Sequence, residues 1–555
     1  MDKQADWHRE ADVVVVGSGA TGLPAAIAAR EAGASVIVVE AENHVGGHAI
    51  TSGGNLPLGG GTSYQMKYGI ADSPDLFFQD LTDWSVVEPN GFPPYRYNDR
   101  EIIRAFADNS VPTFEFLLAH GVKVIDRRPN SIGHEIGASV LRTMQISVEE
   151  WPMVHTGQPA DPSDPEIRAG AGLIRPLEAA ARKAGIEILL EHRMTAIHRE
   201  TQCGRVTGIA VEHNGIMLDI RARKAVIIAT GGSTGNVNFR RMFDPRLTEE
   251  YCGLAGMPWS DQDASGEIAA MAVGASLWGL FNYTGEFGSG ITKPGAIGCQ
   301  YGYINVRWHP GSEVFDKARA IGLKVADWQD VILVNMLGKR FYDETGDHFT
   351  YSTYKSVDPY EPYSYLNAKS VKYNPNNFIN AALAGIGDGH NGGGPIWAIF
   401  DADAVARENW HPHPPHVDID AGFFFSADSI AALARDIVMK YQRVAMAPQN
   451  LVDTVARYNS FVDAGQDADF AKPRPLHKIA KPPFYAAWAT PVIHDTRAGL
   501  RINARCQVID MKGEVIPGLY CGGESAGGFS MHGLPRATVQ GFIAGTNAAA
   551  QNDGA

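Results

Sequence analysis

A strand, a glycine-rich turn, a helix and a second strand follow one another near the start of this chain, and this order constrains the fold more than any other feature. Four consecutive valines at residues 13–16 are typical of a strand buried in a parallel sheet. The segment GSGATG then leads into an alanine-rich helix, and VIVV predicts the next strand. Glycines placed at such a turn indicate a βαβ unit that binds a dinucleotide.

The three glycines of this turn have separate physical roles. Gly17 permits the tight turn, Gly19 lets the backbone approach a pyrophosphate without a Cβ, and Gly22 lets the helix pack on the strand. The helix N-terminus offers free N–H groups and the positive end of its dipole to phosphate. Glu40 closes the second strand, where its carboxylate can accept both ribose hydroxyls and would repel a 2′-phosphate.

Length and composition indicate a large enzyme with two domains. The chain has 555 residues, more than one ordinary core holds, of which 45% are hydrophobic and 20% charged. Its formal net charge of −14 argues against nucleic acid or an anionic membrane as a partner. The five cysteines are scattered without a CxxC or CxxCH motif, so haem attachment, iron–sulfur ligation and a disulfide framework are unsupported.

The remaining compositional signals predict a cytoplasmic protein without a metal site. Residues 1–9 are polar, with no apolar stretch of the signal-peptide type, and no later run reaches the length of a membrane span. The HPHPPH run at residues 411–416 is rich in histidine, but its interleaved prolines favour a surface turn over a metal site.

Two segments far downstream complete the predicted nucleotide-binding fold. ARKAVIIATGGSTGN predicts a strand that ends in an abrupt turn at Thr230 and Gly231, after a region that alternates like a β-hairpin. Near the C-terminus, GEVIPGLYCGGESAGGFSMHGLPRATV predicts a strand, a glycine-rich loop and the start of a helix rich in small residues. The nucleotide fold is therefore expected to be assembled from both ends of the chain.

Together these motifs resemble the fumarate reductase/succinate dehydrogenase flavoprotein family, which also holds the 3-ketosteroid dehydrogenases. The segments that carry the resemblance, in the family's order, are GSGATG with Glu40, GGHAITSGGN, VIIATGG, GKRFYDET, LVDTVARYNSFVDAGQDADF, PFYAAWATPVIHDTRAGLRIN and GLYCGGESAGGFSMHGLPRATV. The resemblance implies bound FAD and an α/β fold. It implies a Rossmann-like FAD-binding domain at residues 10–285 and 480–555, with an inserted α+β capping domain at residues 286–479.

The resemblance also implies which residues hold FAD. The glycine turn and Glu40 would hold the ADP half, and the loop at residues 47–54 would pass the flavin edge. Glu524 and the C-terminal helix would meet the ribityl chain and the pyrimidine end, where the helix N-terminus stabilises charge on reduced flavin. His48 is one residue out of step with the flavin-linked histidine of succinate dehydrogenases, which leaves covalent attachment open. The predicted contacts are Gly17, Gly19, Ala20, Thr21, Gly22, Glu40, Gly47, Ser52, Gly53, Gly54, Thr230, Gly231, Glu524, Thr538 and Val539.

In this family the flavin exchanges a hydride with one carbon of a C–C bond, while a side chain exchanges a proton with the neighbouring carbon. His494 and Arg536 match the histidine and arginine that hold a substrate carboxylate in fumarate reductases. A core histidine and an arginine that braces the cap are the structural alternatives for these two residues.

At the position of the active-site acid, this chain carries a different residue from both groups of relatives. Fumarate reductases carry an arginine four residues after the glutamate of their K-R-F-x-N-E motif, and ketosteroid dehydrogenases carry a tyrosine. In GKRFYDETGDHF the glutamate is Glu344, so the matching position is His348. Histidine can act as an acid or a base near neutral pH. Tyr351 and Tyr354 are the alternatives if the register differs, and a histidine that only packs in the lid is another.

Two further departures bear on the substrate. The Thr-Glu pair with which fumarate reductases hold a second carboxylate is missing ahead of K-R-F, and so is the tyrosine-and-proline C-terminal motif of ketosteroid dehydrogenases. Aromatic residues that favour an apolar pocket for a ring-sized substrate, with ordinary core packing as the alternative for each, are Trp84, Phe92, Tyr95, Tyr97, Trp151, Trp278 and Phe281.

These features predict an FAD-dependent oxidoreductase that acts on a CH–CH bond next to a carbonyl. It would desaturate a cyclic ketone or reduce the matching enone. Because the sequence has no haem or iron–sulfur motif, the electron donor or acceptor is expected to be external. The alternatives are a reductase of an unsaturated carboxylate and a flavoprotein without net redox chemistry, such as an isomerase or hydratase.

Overall fold

The computed structural model describes most of the chain. The described residues are 6–82, 99–130, 139–148, 158–159, 167–201, 203–243, 247–253, 260–278, 291–302, 310, 315–345, 394–493, 495–496, 498–529, 531 and 533–551. The helices in them are α1 (Gly22–Glu31), α2 (Ser63–Lys67), α3 (Pro74–Thr82), α4 (Arg100–Ala119), α5 (Ala171–Lys183), α6 (Val237–Arg240), α7 (Ser265–Ala272), α8 (Phe315–Ala318), α9 (Ala402–Arg407), α10 (Ile430–Asp436), α11 (Pro448–Ala464) and α12 (Leu534–Ala550).

The strands form one large sheet and several smaller ones. Those of three or more residues are β1 (Trp7–Val16), β2 (Val36–Val39), β3 (Asn55–Pro57), β4 (Thr143–Gln145), β5 (Glu187–Leu189), β6 (Arg193–Arg199), β7 (Val206–His213), β8 (Ile216–Ile228), β9 (Ile332–Val334), β10 (Trp397–Asp401), β11 (Phe424–Ala427), β12 (Phe484–Trp488), β13 (Gln507–Ile509) and β14 (Val515–Cys521). Two-residue strands lie at Gln158–Pro159, Ile167–Arg168, Cys252–Gly253, Leu277–Trp278, Ile291–Thr292, Ala296–Ile297, Leu323–Lys324, Val492–Ile493 and Gly499–Leu500.

The large sheet joins both ends of the chain. Its strand order is β13-β14-β8-β1-β2-β5. In addition, β7 pairs antiparallel with β8, and β6 pairs antiparallel with β7. The pairs of β1 with β8, β1 with β2, β8 with β14 and β2 with β5 are parallel. The sheet is therefore mixed, and the strand at residues 515–521 lies beside the strand that ends at residue 228.

Burial on both faces explains why β1 is so apolar. Its last four residues pair with Val36–Val39 on one side and with residues 225–228 on the other, and each is almost fully buried. Helices α1 and α12 cover the sheet and pack closely on each other. A Cβ on Gly541 would lie 2.3 Å from the carbonyl oxygen of Thr21, and one on Gly545 would lie 2.2 Å from that of Ala25. The small residues of α12 thus allow close approach of the two helices.

A second sheet belongs to the middle of the chain. Its order is β9-β10-β12-β11, with every pair antiparallel. Trp397 and Trp488 face each other across β10 and β12, and their perpendicular rings lie 5.7 Å apart. Helices α10 and α11 pack near this sheet, and two hydrophobic clusters there draw on residues between 247 and 493.

The main hydrophobic cluster draws its buried members from residues 11–275 and 500–549. The α/β class with a Rossmann-like FAD-binding fold is confirmed by this sheet and by the structural relatives described below. The domain limits at residues 285/286 and 479/480 remain a prediction. In the part of the chain that the structure describes, every helix is too short or too polar to cross a bilayer.

Candidate flavin and substrate site

The GSGATG turn contains glycines whose surroundings differ. At Gly17, where φ is +104°, a Cβ would lie 2.3 Å from the carbonyl oxygen of Ala229, and at Gly22 a Cβ would lie 1.8 Å from that of Gly17. Both positions therefore exclude a side chain. A Cβ on Gly19 would meet only the carbonyl oxygen of Gly46, at an ordinary 3.5 Å. The space beside Gly19 is consequently open on the protein side, as close approach of a phosphate requires.

Helix α1 begins at Gly22, directly after this part of the turn. Ala20 and Thr21 are buried, the side chain of Thr21 makes no capping hydrogen bond, and the first turn carries no acidic residue. The first N–H groups of a helix lack intrahelical partners, and the helix dipole favours an anion near them. A helix start without a side-chain cap, opposite an open glycine, fits a pyrophosphate.

Glu40 is held in place directly after β2. One carboxylate oxygen accepts hydrogen bonds from the backbone N–H of Ser18 at 2.9 Å and from its hydroxyl at 2.5 Å. The other oxygen accepts from the backbone N–H of Glu42 at 3.0 Å. Since an ionised carboxylate offers about four acceptor positions, Glu40 keeps capacity for a ribose hydroxyl. Ser18, within the glycine turn, is a contact that the sequence pattern did not predict.

Hydrogen bonds join the turn at Thr230 and Gly231 to the glycine-rich loop that precedes the C-terminal helix. The hydroxyl oxygens of Thr230 and Ser525 lie 3.1 Å apart, and the backbone N–H of Gly231 donates to the Ser525 hydroxyl at 3.1 Å. Ser525 belongs to a short 3₁₀ turn at Gly523–Ser525. A Cβ on Gly523 would lie 2.2 Å from the hydroxyl oxygen of Thr21. The turns from all three segments therefore meet at one edge of the sheet.

The loop at residues 47–54 lies against the same region. A 3₁₀ turn spans Gly47–Thr51, and Gly47 adopts a φ of +49° with no heavy atom within 4 Å of an added Cβ. Gly54 is tightly enclosed, because a Cβ there would lie 2.6 Å from the backbone nitrogen of Ala169. Ser52 accepts a hydrogen bond from the backbone N–H of Gly54 at 3.3 Å, and Gly53 between them is half-buried.

A chain of polar side chains crosses from this loop to the C-terminal turn. The Nδ1 atom of His48 lies 3.1 Å from one carboxylate oxygen of Glu524, and the amide of Gln262 donates to the other oxygen at 3.0 Å. Burial alone would lower the pKa of His48, but the negative charges of Glu524 and Asp495 raise it overall. The sequence places His48 one residue out of step with a flavin-linked histidine and gives no sign of its pairing with Glu524.

The C-terminal helix starts beside this turn. Gly533 precedes it with a φ of +75°, and no side chain caps the helix. The hydroxyl of Thr538 donates to the backbone carbonyl of Leu534 at 2.8 Å, and Val539 is fully buried. Contact of Thr538 and Val539 with FAD stays a prediction.

Arg536 lies in the first turn of α12 and is only 1% exposed. Its Nη1 atom donates to the backbone carbonyl of Phe529 at 2.9 Å, and Nη2 donates to that of Thr496 at 3.2 Å. The guanidinium thus joins two loops. One of them carries the predicted histidine at position 494, which lies outside the described residues, two positions from Thr496.

The K-R-F motif forms a buried ion cluster. The carboxylate of Glu344 accepts two hydrogen bonds from the guanidinium of Arg340, both at 2.8 Å, and lies 3.3 Å from the ammonium of Lys472. Arg340 also donates to Asp467 at 2.9 Å. Burial alone would raise the pKa of Glu344, but the charges of Lys472 and Arg340 lower it to about 2. The motif therefore ties the strand β9 region to the segment at residues 467–472.

A third cation completes this cluster. The ammonium of Lys293 donates to the backbone carbonyl of Glu344 and lies 3.5 Å from the ring centroid of Trp328. The cluster was not predicted, because its partners are scattered over about a third of the chain. The proton-transfer candidates His348, Tyr351 and Tyr354 lie outside the described residues, which stop at residue 345 before this region.

Of the aromatic residues named for a substrate pocket, Trp278 is the one in the described part. A Cβ on Gly528 would lie 3.0 Å from its ring, so Trp278 packs on the glycine loop that precedes α12. Trp84, Phe92, Tyr95, Tyr97, Trp151 and Phe281 lie outside the described residues. Whether the seven line a pocket stays a prediction.

The histidine-rich run forms a cluster of rings. The centroids of His411 and His416 lie 5.2 Å apart, and that of His413 lies 5.9 Å and 6.2 Å from them. Burial and the charges of the two neighbouring histidines lower the pKa of His416. Over the described ranges, no group of three or more His, Cys, Asp or Glu residues has the arrangement of a metal site.

A family model described as "FAD binding domain" matches residues 12–537, nearly the entire chain. The chain belongs to the FAD binding domain family. This confirms the predicted cofactor, FAD, and the predicted class of enzyme, a flavin-dependent oxidoreductase acting on CH–CH groups. When bound, FAD supplies the acceptor or donor of the hydride. The open space at Gly19 and Gly47, the α1 start without a side-chain cap and the fixed Glu40 all fit this cofactor.

The curated relatives include a fumarate reductase and a 3-oxosteroid dehydrogenase. The chain is 28% identical to fumarate reductase (cytochrome) of Shewanella frigidimarina over 531 residues, which cover 95% of this chain and 74% of that protein. It is 25% identical to 3-oxosteroid 1-dehydrogenase of Mycobacterium tuberculosis, covering 95% of each. These matches confirm the resemblance predicted from the motifs.

A solved structure supports the fold. The 3-ketosteroid delta1-dehydrogenase of Sterolibacterium denitrificans superposes with a TM-score of 0.62 at 20% identity, covering 98% of this chain and 100% of that one. At this level of identity the likeness establishes the fold alone.

Proposed function

We propose that this enzyme desaturates a cyclic ketone, or reduces the matching enone, next to the carbonyl group. A hydride would pass between one substrate carbon and FAD, while a side chain exchanges a proton at the neighbouring carbon. The carbonyl needs hydrogen-bond donors that stabilise enolate-like charge as the proton leaves or arrives. Which side chain supplies the proton, and which donors hold the carbonyl, are part of the proposal.

The ion pairs around the K-R-F motif favour a ketone over a dicarboxylate as the substrate, and this is the main observation behind the proposal. Arg340 and Lys472 bind the buried carboxylate of Glu344, and Lys293 binds its backbone carbonyl and the Trp328 ring. These cap cations are thus engaged within the protein. A dicarboxylate needs cationic or strong hydrogen-bonding partners at both ends, and the sequence lacks the Thr-Glu pair that supports the second end in fumarate reductases.

A reductase of an unsaturated carboxylate is the second candidate, and Arg536 is the observation that favours it. The side chain is buried at the start of α12 and bridges the loops at Phe529 and Thr496, so it can serve one carboxylate near that junction. His494 is two residues from Thr496 in sequence. A substrate with a single carboxylate would suit this arrangement better than a dicarboxylate.

Substrate-driven flavin reduction tests the proposal. The purified FAD-loaded protein would be mixed anaerobically with saturated cyclic ketones, including 3-ketosteroids, while the visible flavin band is followed. Because hydride transfer to FAD removes that band, bleaching by a ketone would support the dehydrogenase and identify its substrate class.

The reverse direction separates the two candidates. Enzyme reduced beforehand with dithionite would be offered cyclic enones and, separately, unsaturated monocarboxylates and dicarboxylates. Reoxidation by enones supports the proposal, and reoxidation by acids alone would replace it with the second candidate. If neither a ketone, an enone nor an acid changes the flavin spectrum, both redox proposals fail.

His348 is our candidate for the proton-transferring residue. We expect His348→Ala to keep the yellow bound flavin and to lower turnover by about 10²–10⁴-fold, the usual contribution of general acid–base catalysis. Tyr351→Phe and Tyr354→Phe serve as matched variants for the neighbouring candidates. Full activity in His348→Ala would move the proton role to another residue.

A further inference from the structure

Glu267 is a buried acid whose carboxylate has no partner on another residue in the part of the chain that the structure describes. It lies in the first turn of α7, it is 0% exposed, and neither carboxylate oxygen accepts a hydrogen bond from another residue in the described part of the chain. A buried polar group that lacks partners destabilises a fold, and an ionised one does so much more. A glutamate kept in such a place therefore calls for an explanation other than packing.

The helix that carries Glu267 is seated against the predicted flavin-binding turn. A Cβ on Gly266, the preceding residue, would lie 2.2 Å from the hydroxyl oxygen of Thr230 and 2.6 Å from the side chain of Ile228. Thr230 is in turn joined to Ser525 of the C-terminal turn. The backbone next to Glu267 thus touches the turn whose residues are predicted to contact FAD.

Burial is the main influence on the charge of Glu267. It raises the pKa of Glu267 to about 8, although the residue's own backbone N–H opposes the shift, and the negative charges of Asp263 and Glu524 add to the rise. Burial also raises the pKa of the Cys521 thiol, and the charge of Glu267 contributes. The ionisable groups on this side and on the elements packed against α7 are Asp263, Glu524, Cys521, Arg193, Arg199 and Arg536.

The nearby arginines are already engaged elsewhere. Arg193 pairs with Asp263 at 2.5 Å and Asp261 at 3.0 Å, and Arg199 donates to the backbone carbonyl of Val273. Arg536 donates to the backbone carbonyls of two loops. Among the described residues, none of these arginines binds the Glu267 carboxylate, which lies next in sequence to the glycine packed on the Thr230 turn.

We propose that Glu267 is a proton acceptor coupled to flavin reduction: when the bound FAD gains two electrons and one proton, the Glu267 carboxylate takes up a second proton from solvent. The charges balance, because FAD, two electrons and one proton give an anionic reduced flavin, and the carboxylate with one proton gives a neutral acid. The electrons come from the substrate or from a chemical reductant. No bond other than the new O–H bond forms at Glu267.

The physical cause is repulsion between two negative charges in a medium of low dielectric constant. Reduction would add one negative charge to the flavin, and the ionised Glu267 carboxylate carries the other. The charge of Glu524 is partly offset by its pairing with His48. Protonation of Glu267 removes the repulsion. The inference requires FAD, which the family match supports, and is independent of whether the substrate is a ketone or a carboxylate.

The midpoint potential of the bound flavin, measured against pH from about 7.5 to 9.5, tests the coupling. Below the pH at which Glu267 of the oxidised enzyme ionises, only the flavin proton is taken up. Above that pH we expect wild type to take up two protons per two electrons. In that range, each added pH unit would lower the equilibrium constant for flavin reduction by an extra factor of about ten. This corresponds to an extra fall of about 30 mV in the midpoint potential of a two-electron couple.

Two variants complete the experiment. Glu267→Gln has nearly the same shape but cannot titrate, so its potential should follow one proton per two electrons across the range. Glu187→Gln, the same change at a surface carboxylate paired with Arg9, should behave as wild type. Retention of the visible flavin band after gel filtration, which removes free flavin, shows that FAD is bound in each sample, whatever the substrate.

The wild-type measurement alone can overturn the proposal. A one-proton slope throughout the range, or parallel two-proton slopes for wild type and Glu267→Gln, would show that Glu267 is not the coupled group. If Glu267→Gln does not bind FAD, Glu267→Asp replaces it. The shorter acid should move the pH at which the slope changes, and an unchanged break would also contradict the coupling.

Discussion

Gly17 and Gly19 stand two positions apart in one turn, yet a methyl group would meet different surroundings at each. At Gly17 it would strike a backbone carbonyl at 2.3 Å in a left-handed conformation, whereas at Gly19 it would meet protein only at 3.5 Å. The first glycine is thus required by the fold. For the second we predict that the requirement comes from bound FAD, the cofactor that the family match supports.

The two alanine variants should therefore fail differently. Gly19→Ala should leave the thermal stability of the apoprotein nearly unchanged and weaken FAD binding by at least about tenfold, or about 1.4 kcal/mol. Gly17→Ala should lower the stability of the apoprotein itself. The measurements are apoprotein melting temperature and FAD affinity by fluorescence titration. Wild-type FAD affinity in Gly19→Ala would place the phosphates elsewhere.

The ion cluster around Glu344 makes stability depend on pH in a defined direction. The pKa of Glu344 in the folded protein, about 2, lies below the ordinary 4.5. The contribution of Glu344 to folding stability is therefore fully present above pH 4.5 and is lost as the pH falls from 4.5 to 2. Glu344→Gln leaves Arg340 and Lys472 without their shared carboxylate. We expect this substitution to lower the free energy of unfolding by about 3–5 kcal/mol near neutral pH, as for other broken buried ion pairs.

The pH series supplies the control for that prediction. The difference in melting temperature between wild type and Glu344→Gln should be largest above pH 4.5 and should shrink towards pH 2. Asp403→Asn, which removes a surface partner of Lys481, should show little effect. A gap that stays constant with pH would mean that the amide substitution acts through packing and not through charge.

At the scale of elements, the contact between α1 and α12 is what joins the two ends of the chain. Gly541 and Gly545 allow the helix backbones to approach, since a Cβ at Gly545 would lie 2.2 Å from the carbonyl oxygen of Ala25. The C-terminal helix is rich in small residues, and the sequence predicted it on that ground. Its partner helix could not be predicted, because pairing between elements about 500 residues apart leaves no local periodicity.

A pair of variants on α12 tests this contact. Gly545→Val should lower the melting temperature and loosen FAD, because the new side chain meets the α1 backbone and overpacking costs about 1–3 kcal/mol. Thr546→Val introduces the same side chain one position along, where the residue is exposed, and should be nearly neutral. Equal effects of the two variants would show that a clash with α1 is not the cause of the destabilisation.

For the whole molecule, local motifs predicted the nucleotide fold better than they predicted the chemistry. Glycine turns and buried valines depend on neighbours within a few residues, so their pattern is visible in sequence. The pairing of His48 with Glu524, and of Arg340 with Asp467, joins distant segments and was not predicted. Of the proposed substrate contacts, the structure describes Arg536 and leaves His494 and His348 as predictions.

The composition of the whole chain leads to a last prediction about electron flow. Because the sequence carries no haem or iron–sulfur motif, we predict that FAD exchanges electrons with an external donor or acceptor. Each FAD holds two electrons, so anaerobic enzyme given excess ketone substrate should form one product molecule per FAD and then stop. An added artificial acceptor, such as a phenazine or quinone dye, should restore continuous turnover. Product formation well beyond one equivalent without an acceptor would require a second internal electron store or a reaction without net redox change, and product analysis would distinguish these by the presence or absence of the new double bond.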